Sequence, residues 1–170
     1  MNTRRILLAY ATKYGSTQEV AQSIATTLRE AGLEVDMQPM REVKSLDGYE
    51  AVVLGAAIYG SRWHPEAHLF LSQHQATLRQ RPVAVFALGP LNTSATAKQR
   101  SRRQLDKDLE KYPWLKPVAE EMFAGKYDPS QLSFFEKLLP ASDHRDWDAI
   151  RTWATALPAQ LRRGEMSQPA

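Results

Sequence analysis

A doubly wound α/β domain, with a parallel sheet covered by helices on both faces, is predicted by three observations. Residues 5–11, 51–55 and 82–88 are short apolar runs without alternation, the pattern of strands buried on both sides. Other stretches carry apolar residues at helical spacing, beginning with Val20, Ala21, Ile24, Ala25 and Leu28. The two kinds alternate along the chain, and such alternation joins parallel strands through helical crossovers.

The elements follow in order. The first strand ends in a hydroxyl-rich loop, Thr12-Lys13-Tyr14-Gly15-Ser16-Thr17, and the first helix runs from there to Gly32, which stops it. Leu33, Val35 and Met37 alternate with polar residues, the mark of a half-buried strand near a sheet edge. A polar passage, 41–48, leads to the second buried strand. Pro65 suits a first helical position, and its helix is expected to reach about Gln80. The third buried strand ends at Gly89-Pro90, a turn signal. A polar helix is expected over about 97–111, and a last strand over 118–124. Ser130 and Asp146 are candidate caps for a short helix and a final helix, and Pro158 is expected to end or kink the latter.

Composition narrows the chemistry. A chain of 170 residues is long enough for one domain with a full core. It has no cysteine, so disulfides, thiolate metal sites and cysteine nucleophiles are excluded. The net charge of +3 permits an anionic partner without demanding one. No stretch is long enough to span a membrane, and residues 1–11 read as a buried strand rather than a signal peptide. A cytoplasmic protein is therefore expected.

Ligands of such sheets bind beyond the carboxyl ends of the strands. Three loops lie there: 12–17, 56–64 and 89–94. In the first, helix N–H groups and three hydroxyls suit an anion. It has one glycine and no Gly-Lys-Ser/Thr, so neither a dinucleotide nor a triphosphate fingerprint is present. Two readings of Ser16 and Thr17 stand side by side: donors to a single terminal phosphate, or plain helix capping. His64, His68 and His74 lack a third ligand at suitable spacing, so no metal is expected. Ser16 has no evident histidine relay, so no catalytic side chain is assigned. Acidic residues of a phospho-receiver are absent from the strand ends at Tyr10-Ala11-Thr12 and Gly55-Ala56.

With residues 12–17, 49–56, Gly89, Asn92 and the ending Arg145-Asp146-Trp147-Asp148-Ala149-Ile150 with Trp153, the chain resembles the flavodoxin family. Within it, the chain is similar to the branch of the menaquinone-dependent protoporphyrinogen dehydrogenases. The resemblance runs from about Arg5 to Leu161. It implies a three-layer sandwich with a five-stranded sheet in 2-1-3-4-5 order. It also implies non-covalent FMN in a domain over 1–161, with 162–170 a flexible tail. The phosphate would lie on Thr12, Lys13, Tyr14, Gly15, Ser16 and Thr17. The ring system would lie between Ala57, Ile58, Tyr59, Gly60, Ser61 and Arg62 on one side and Gly89, Pro90, Leu91, Asn92 and Thr93 on the other.

The third loop has no aromatic, so Tyr59 or Trp63 is expected to stack on the flavin, or one face stays open to substrate. An FMN oxidoreductase is the first expectation, with a quinone or a porphyrinogen-like substrate held by Arg62, Arg100 and Arg103. An electron carrier with a protein redox partner is the second. Lys13, Arg62, Lys98, Arg100, Arg102 and Arg103 form a basic rim, unlike the acidic rim typical of carriers; it is either a docking surface or a solvated face. Phe134, Phe135, Leu138 and Leu139 are either a membrane or partner face or a cover of the core. No nucleic-acid partner is expected.

Overall fold

The computed structural model describes residues 4–89, 94–127 and 141–166. The expected loop residues Pro90 to Thr93 and the Phe134–Leu139 stretch lie outside them.

Five strands form the parallel sheet: β1 (Arg5–Ala11), β2 (Glu34–Pro39), β3 (Ala51–Tyr59), β5 (Val83–Leu88) and β6 (Ala119–Phe123). A two-residue strand, β4 (Arg62–Trp63), folds back antiparallel on β3. The order is β2-β1-β3-β5-β6, which is 2-1-3-4-5 when the parallel strands are counted alone. Register is set by apolar pairs such as Leu8 with Val53 and Val53 with Ala84. A second ribbon pairs β7 (Lys126–Tyr127) with β8 (Ser142–Asp143), where sequence reading expects loop.

Both faces of the sheet are buried. Ile6, Leu8 and Tyr10 point to one side, where α1 (Ser16–Glu30) and α5 (Trp147–Met166) pack. Leu7, Ala9 and Ala11 point to the other, with α2 (Pro65–Gln73), α3 (Gln75–Leu78) and α4 (Ala95–Leu109). Opposite faces of a strand alternate, so a continuous apolar run fills both layers. β2 is at the sheet edge, and its alternating pattern fits one covered face.

Three boundaries differ from expectation. The helix after Pro65 breaks at His74, whose φ of −108° and ψ of 16° are not helical, and resumes as α3. The His74 ring packs on Phe70 at 4.6 Å, which holds this break. α4 begins two residues early because Ser94 caps it, accepting from the Ala97 N–H at 3.1 Å.

The largest difference is at the carboxyl end. α5 passes through Pro158 and continues to Met166, so residues 162–166 are helix and not tail. Proline in a helix interior costs about 3 kcal/mol locally. Ile150, Ala154, Leu157 and Leu161 are fully buried on the core, and their burial at roughly 1.5–3 kcal/mol per large side chain outweighs that cost. Gly164 then sits against Val118 and Pro82, where a Cβ would come within 2.4 Å of Val118. Asp146 caps the helix as expected, its carboxylate accepting from the Ala149 N–H at 3.0 Å.

Among the described residues no helix is long and apolar enough to cross a membrane.

Candidate functional site at the strand ends

The carboxyl ends of β1, β3 and β5 come together at the switch point of the sheet, where β1 turns one way to β2 and the other way to β3. The first loop is a tight turn. Thr12 Oγ1 accepts from the Gly15 N–H at 2.8 Å, and Gly15 stands at φ +89°, the left-handed region that glycine enters without strain. No heavy atom lies within 4 Å of where its Cβ would be, so this side of the turn is open.

Gly15, not a hydroxyl residue, occupies the N-cap of α1, and no side chain caps the helix. Ser16 and Thr17 lie inside the first turn. This removes helix capping as the reason for their hydroxyls. Thr17 is fully buried, and its Oγ1 has no hydrogen-bond partner among the described residues. A buried hydroxyl without a partner costs about 1–3 kcal/mol. That orphaned atom, the uncapped amide groups and the open side of Gly15 all suit a bound anion.

The second loop is more ordered than a loop. β3 runs on to Tyr59, and Tyr59 pairs with Arg62 across a two-residue turn, Gly60-Ser61. Both turn residues have positive φ, 52° and 61°, the requirement of a type I′ hairpin. The turn joins the first loop through aromatic rings: Tyr14 meets Tyr59 edge to face at 5.9 Å, and Lys13 Nζ lies 4.8 Å from the Tyr14 ring centre. Burial pushes the Tyr59 phenol above its ordinary pKa, against hydrogen bonds from the Lys13 backbone and the Thr12 hydroxyl. Tyr59 is half-buried and stands between the two loops.

Trp63, the other stacking candidate, is excluded. Its side chain is 1 % exposed, and its indole N–H donates to the Ala56 carbonyl at 3.3 Å, inside the α2–α4 layer. Of the third loop, Gly89 is described: it is buried at the end of β5, its N–H donating to the Phe123 carbonyl.

Behind the hairpin lies a cluster that sequence reading missed. Asp108 of α4 is 2 % exposed. Its carboxylate accepts from the Trp63 N–H at 3.2 Å, from Gln104 at 3.1 Å and from Lys111 at 2.8 Å, while His68 Nε2 lies 3.5 Å away. Burial pushes its pKa up, but the bonds from Lys111, Gln104 and Trp63 together hold it below the ordinary carboxylate range. His68 Nδ1 in turn meets the Tyr112 hydroxyl at 2.7 Å. A buried carboxylate thus fixes the backbone of β4 and with it the Gly60-Ser61 turn. The spacing of Asp108 three residues after the buried Leu105 was the signal for an inward-facing acid.

The basic rim divides. Arg102 is tied to Glu120 at 2.6 Å and to Asp106 at 3.1 Å. Arg62, Arg100 and Arg103 meet no carboxylate among the described residues and remain in solvent. Arg100 and Arg103 stand on the side of α4 away from the buried Leu105, not on the side facing the sheet.

No group of three or more histidine, aspartate and glutamate side chains among the described residues could hold a metal. His64, His68 and His74 are all pushed below their ordinary pKa, burial being the first cause in each. A histidine with a depressed pKa binds its proton more readily in the unfolded chain, so the stability its neutral form provides is full above the unfolded value of about 6.5 and is lost as pH falls below it. Thermal melts are therefore expected to drop between about pH 7 and pH 5. Melts that rise over this window would show the histidines gaining, not losing, by protonation in the fold.

Comparison with known proteins agrees with this geometry. A family profile described as "Flavodoxin domain" matches residues 7–139. Protoporphyrinogen IX dehydrogenase [quinone] of Escherichia coli (strain K12) is 27% identical over 86 residues, 49% of this chain and 48% of that protein. The chain thus spans about half the length of the curated relatives it matches. Flavodoxin 1 from Bacillus cereus superposes with a TM-score of 0.59 at 15% identity, covering 94% of this chain and 97% of that one. A flavodoxin from the domain Archaea gives 0.59 at 12% identity, over 93% and 99%. With its strand order, its hydroxyl loop at the switch point and the profile match over most of its length, the chain belongs to the flavodoxin domain family and is a redox protein with FMN as its cofactor.

Proposed function

We propose that this chain is an FMN-dependent oxidoreductase whose site is built from the first two loops and the third. The observation that carries this reading is the buried Thr17 hydroxyl without a partner, beside an uncapped helix start. The FMN phosphate would be held by the Thr12, Ser16 and Thr17 hydroxyls and the backbone of Lys13, Tyr14 and Gly15. Ala57 to Arg62 and Gly89 to Thr93 would flank the rings. When bound, FMN supplies the electron and hydride chemistry. The chain supplies position: Asp108 pins the hairpin, and Tyr59 links it to the phosphate loop. The FMN-binding domain is proposed over 1–161, with α5 running on from it to Met166.

The substrate reading is a porphyrinogen-like donor with a quinone acceptor. It is supported by the name of the E. coli relative at 27% identity. Each turnover would move two hydrogens from the donor to the quinone, giving a quinol. Arg62, exposed on the hairpin and without a carboxylate partner among the described residues, is the residue assigned to a substrate carboxylate. A cytoplasmic location goes with this reading.

The test is turnover of a reduced porphyrinogen with a menaquinone analogue by FMN-loaded protein. Arg62→Ala should lower kcat/KM about tenfold, through KM, when measured on protein saturated with FMN. Absence of porphyrinogen oxidation, with rapid reduction by a flavodoxin reductase, would make the chain an electron carrier instead.

A further inference from the structure

α4 carries five cations, Lys98, Arg100, Arg102, Arg103 and Lys107, against two carboxylates, Asp106 and Asp108. Its surplus equals the formal +3 of the whole chain, so the rest of the protein is neutral in sum. The cations are also sorted. Arg102 is paired with Asp106 and Glu120, on the flank facing β6. Asp108 is buried and already bonded to Lys111. Arg100, Arg103 and Lys107 fall within about 60° of each other at 100° per residue, on the face turned away from Leu105. All three are exposed, and none meets a carboxylate among the described residues. With Thr96 and Gln104 they line one shallow depression.

No large apolar side chain lies on this face, so nothing in it calls for burial in a lipid interior or a hydrophobic groove. Fixed positive charge without apolar surface is the pattern of electrostatic docking. The helix also starts at Ala95, with its cap Ser94 the last residue of the third loop, and Asp108 ties it to the hairpin. A partner seated on the stripe therefore sits beside the site without covering it.

We propose that the outward face of α4, through Arg100, Arg103 and Lys107, docks the acidic surface of an electron-transfer protein that exchanges electrons with this site. The docking goes beyond the substrate reading above and does not depend on it. Single exposed ion pairs are worth little, so the effect rests on several charges acting together and is screened by salt.

The experiment uses an acidic [2Fe–2S] ferredoxin as the probe, immobilised, with the full chain as analyte. Binding is read directly, so it does not require bound FMN and fails independently of the cofactor reading. Affinity should fall about tenfold or more in Arg100→Glu/Arg103→Glu/Lys107→Glu, and by a similar amount in wild type between about 20 mM and 300 mM salt. Lys44→Glu/Arg79→Glu/Lys116→Glu makes the same change of net charge elsewhere on the exposed surface and should bind as wild type. Melting curves for each variant report its folding. Three results overturn the proposal: no ferredoxin binding by wild type, unchanged affinity in the α4 variant, or equal loss in both variants, which would reduce the effect to net charge. Sedimentation with phosphatidylserine vesicles that depends on the stripe, without ferredoxin binding, would replace the protein partner with an anionic lipid surface.

Discussion

Replacing Thr17 by valine is expected to weaken FMN binding while leaving the FMN-free protein as stable as before or more so. The two effects share one cause. Thr17 Oγ1 is buried without a hydrogen-bond partner among the described residues, so in the free protein it has lost its water and gained nothing in return. A methyl group in its place has no such need, and removal of the unsatisfied hydroxyl should stabilise the fold by about 1 kcal/mol. With FMN bound, the same hydroxyl is proposed to donate to the phosphate. A bond to a charged group is worth about 1.5–3 kcal/mol, so its loss should raise Kd roughly 10- to 150-fold. Thr12→Ala/Thr17→Ala should lose more. In that variant the Thr12 bond to the Gly15 N–H goes as well, and the turn itself loosens. Fluorescence titration with FMN and melting of the FMN-free protein measure the two arms. A Thr17→Val protein that melts lower and binds FMN unchanged would give the hydroxyl a structural role and refute the phosphate assignment.

Most of the fold was legible because the signals for it are local. The runs at 5–11, 51–55 and 82–88 are apolar without alternation, and all three became inner strands. The hydroxyl loop was legible for the same reason: strand, loop and helix start are contiguous. What failed to show in sequence depends on partners far along the chain. Trp63 looked like a stacking residue because it lies in the second ligand loop. It is buried because Ala56 and Asp108 receive its two N–H groups, and Asp108 is 45 positions away. The basic rim looked uniform because carboxylate partners cannot be read from spacing alone; Glu120 removes Arg102 from it across 18 residues. Pro158 argued locally for a helix end, and burial of Leu157 and Leu161 overrode it. The Gly60-Ser61 hairpin was half legible. The stretch 56–64 read as a loop beyond the second buried strand, but the pairing of Tyr59 with Arg62 needed the extended end of β3.

Gly55→Ala should be among the most destabilising single substitutions available in this chain. Gly55 lies in the middle strand of the sheet, between Tyr10 of β1 and Phe86 of β5. Its backbone is not in the left-handed region, so conformation does not require glycine here. Space does. A Cβ at this position would stand 1.9 Å from Phe86 Cζ and within 2.5 Å of both neighbouring ring carbons. The ring presents its tip to Gly55 and cannot simply swing aside, since Trp153 is 6.0 Å from its centre and Phe123 6.3 Å. Interiors packed this closely pass strain to their neighbours, and the cost should be about 3 kcal/mol or more. For a domain of this size that lowers Tm by about 6–12 °C. The companion variant separates overpacking from loss of fold. Phe86→Leu removes the aromatic edge that meets the new methyl, and alone it should cost about 1–2 kcal/mol through the cavity it leaves. In Gly55→Ala/Phe86→Leu the methyl enters that space, so the double variant should be more stable than the sum of the singles by at least about 1 kcal/mol. Denaturant unfolding of the four proteins supplies the cycle. Strict additivity would mean that the ring and the glycine do not touch in solution, and the packing of Phe86 across β3 would have to be redrawn.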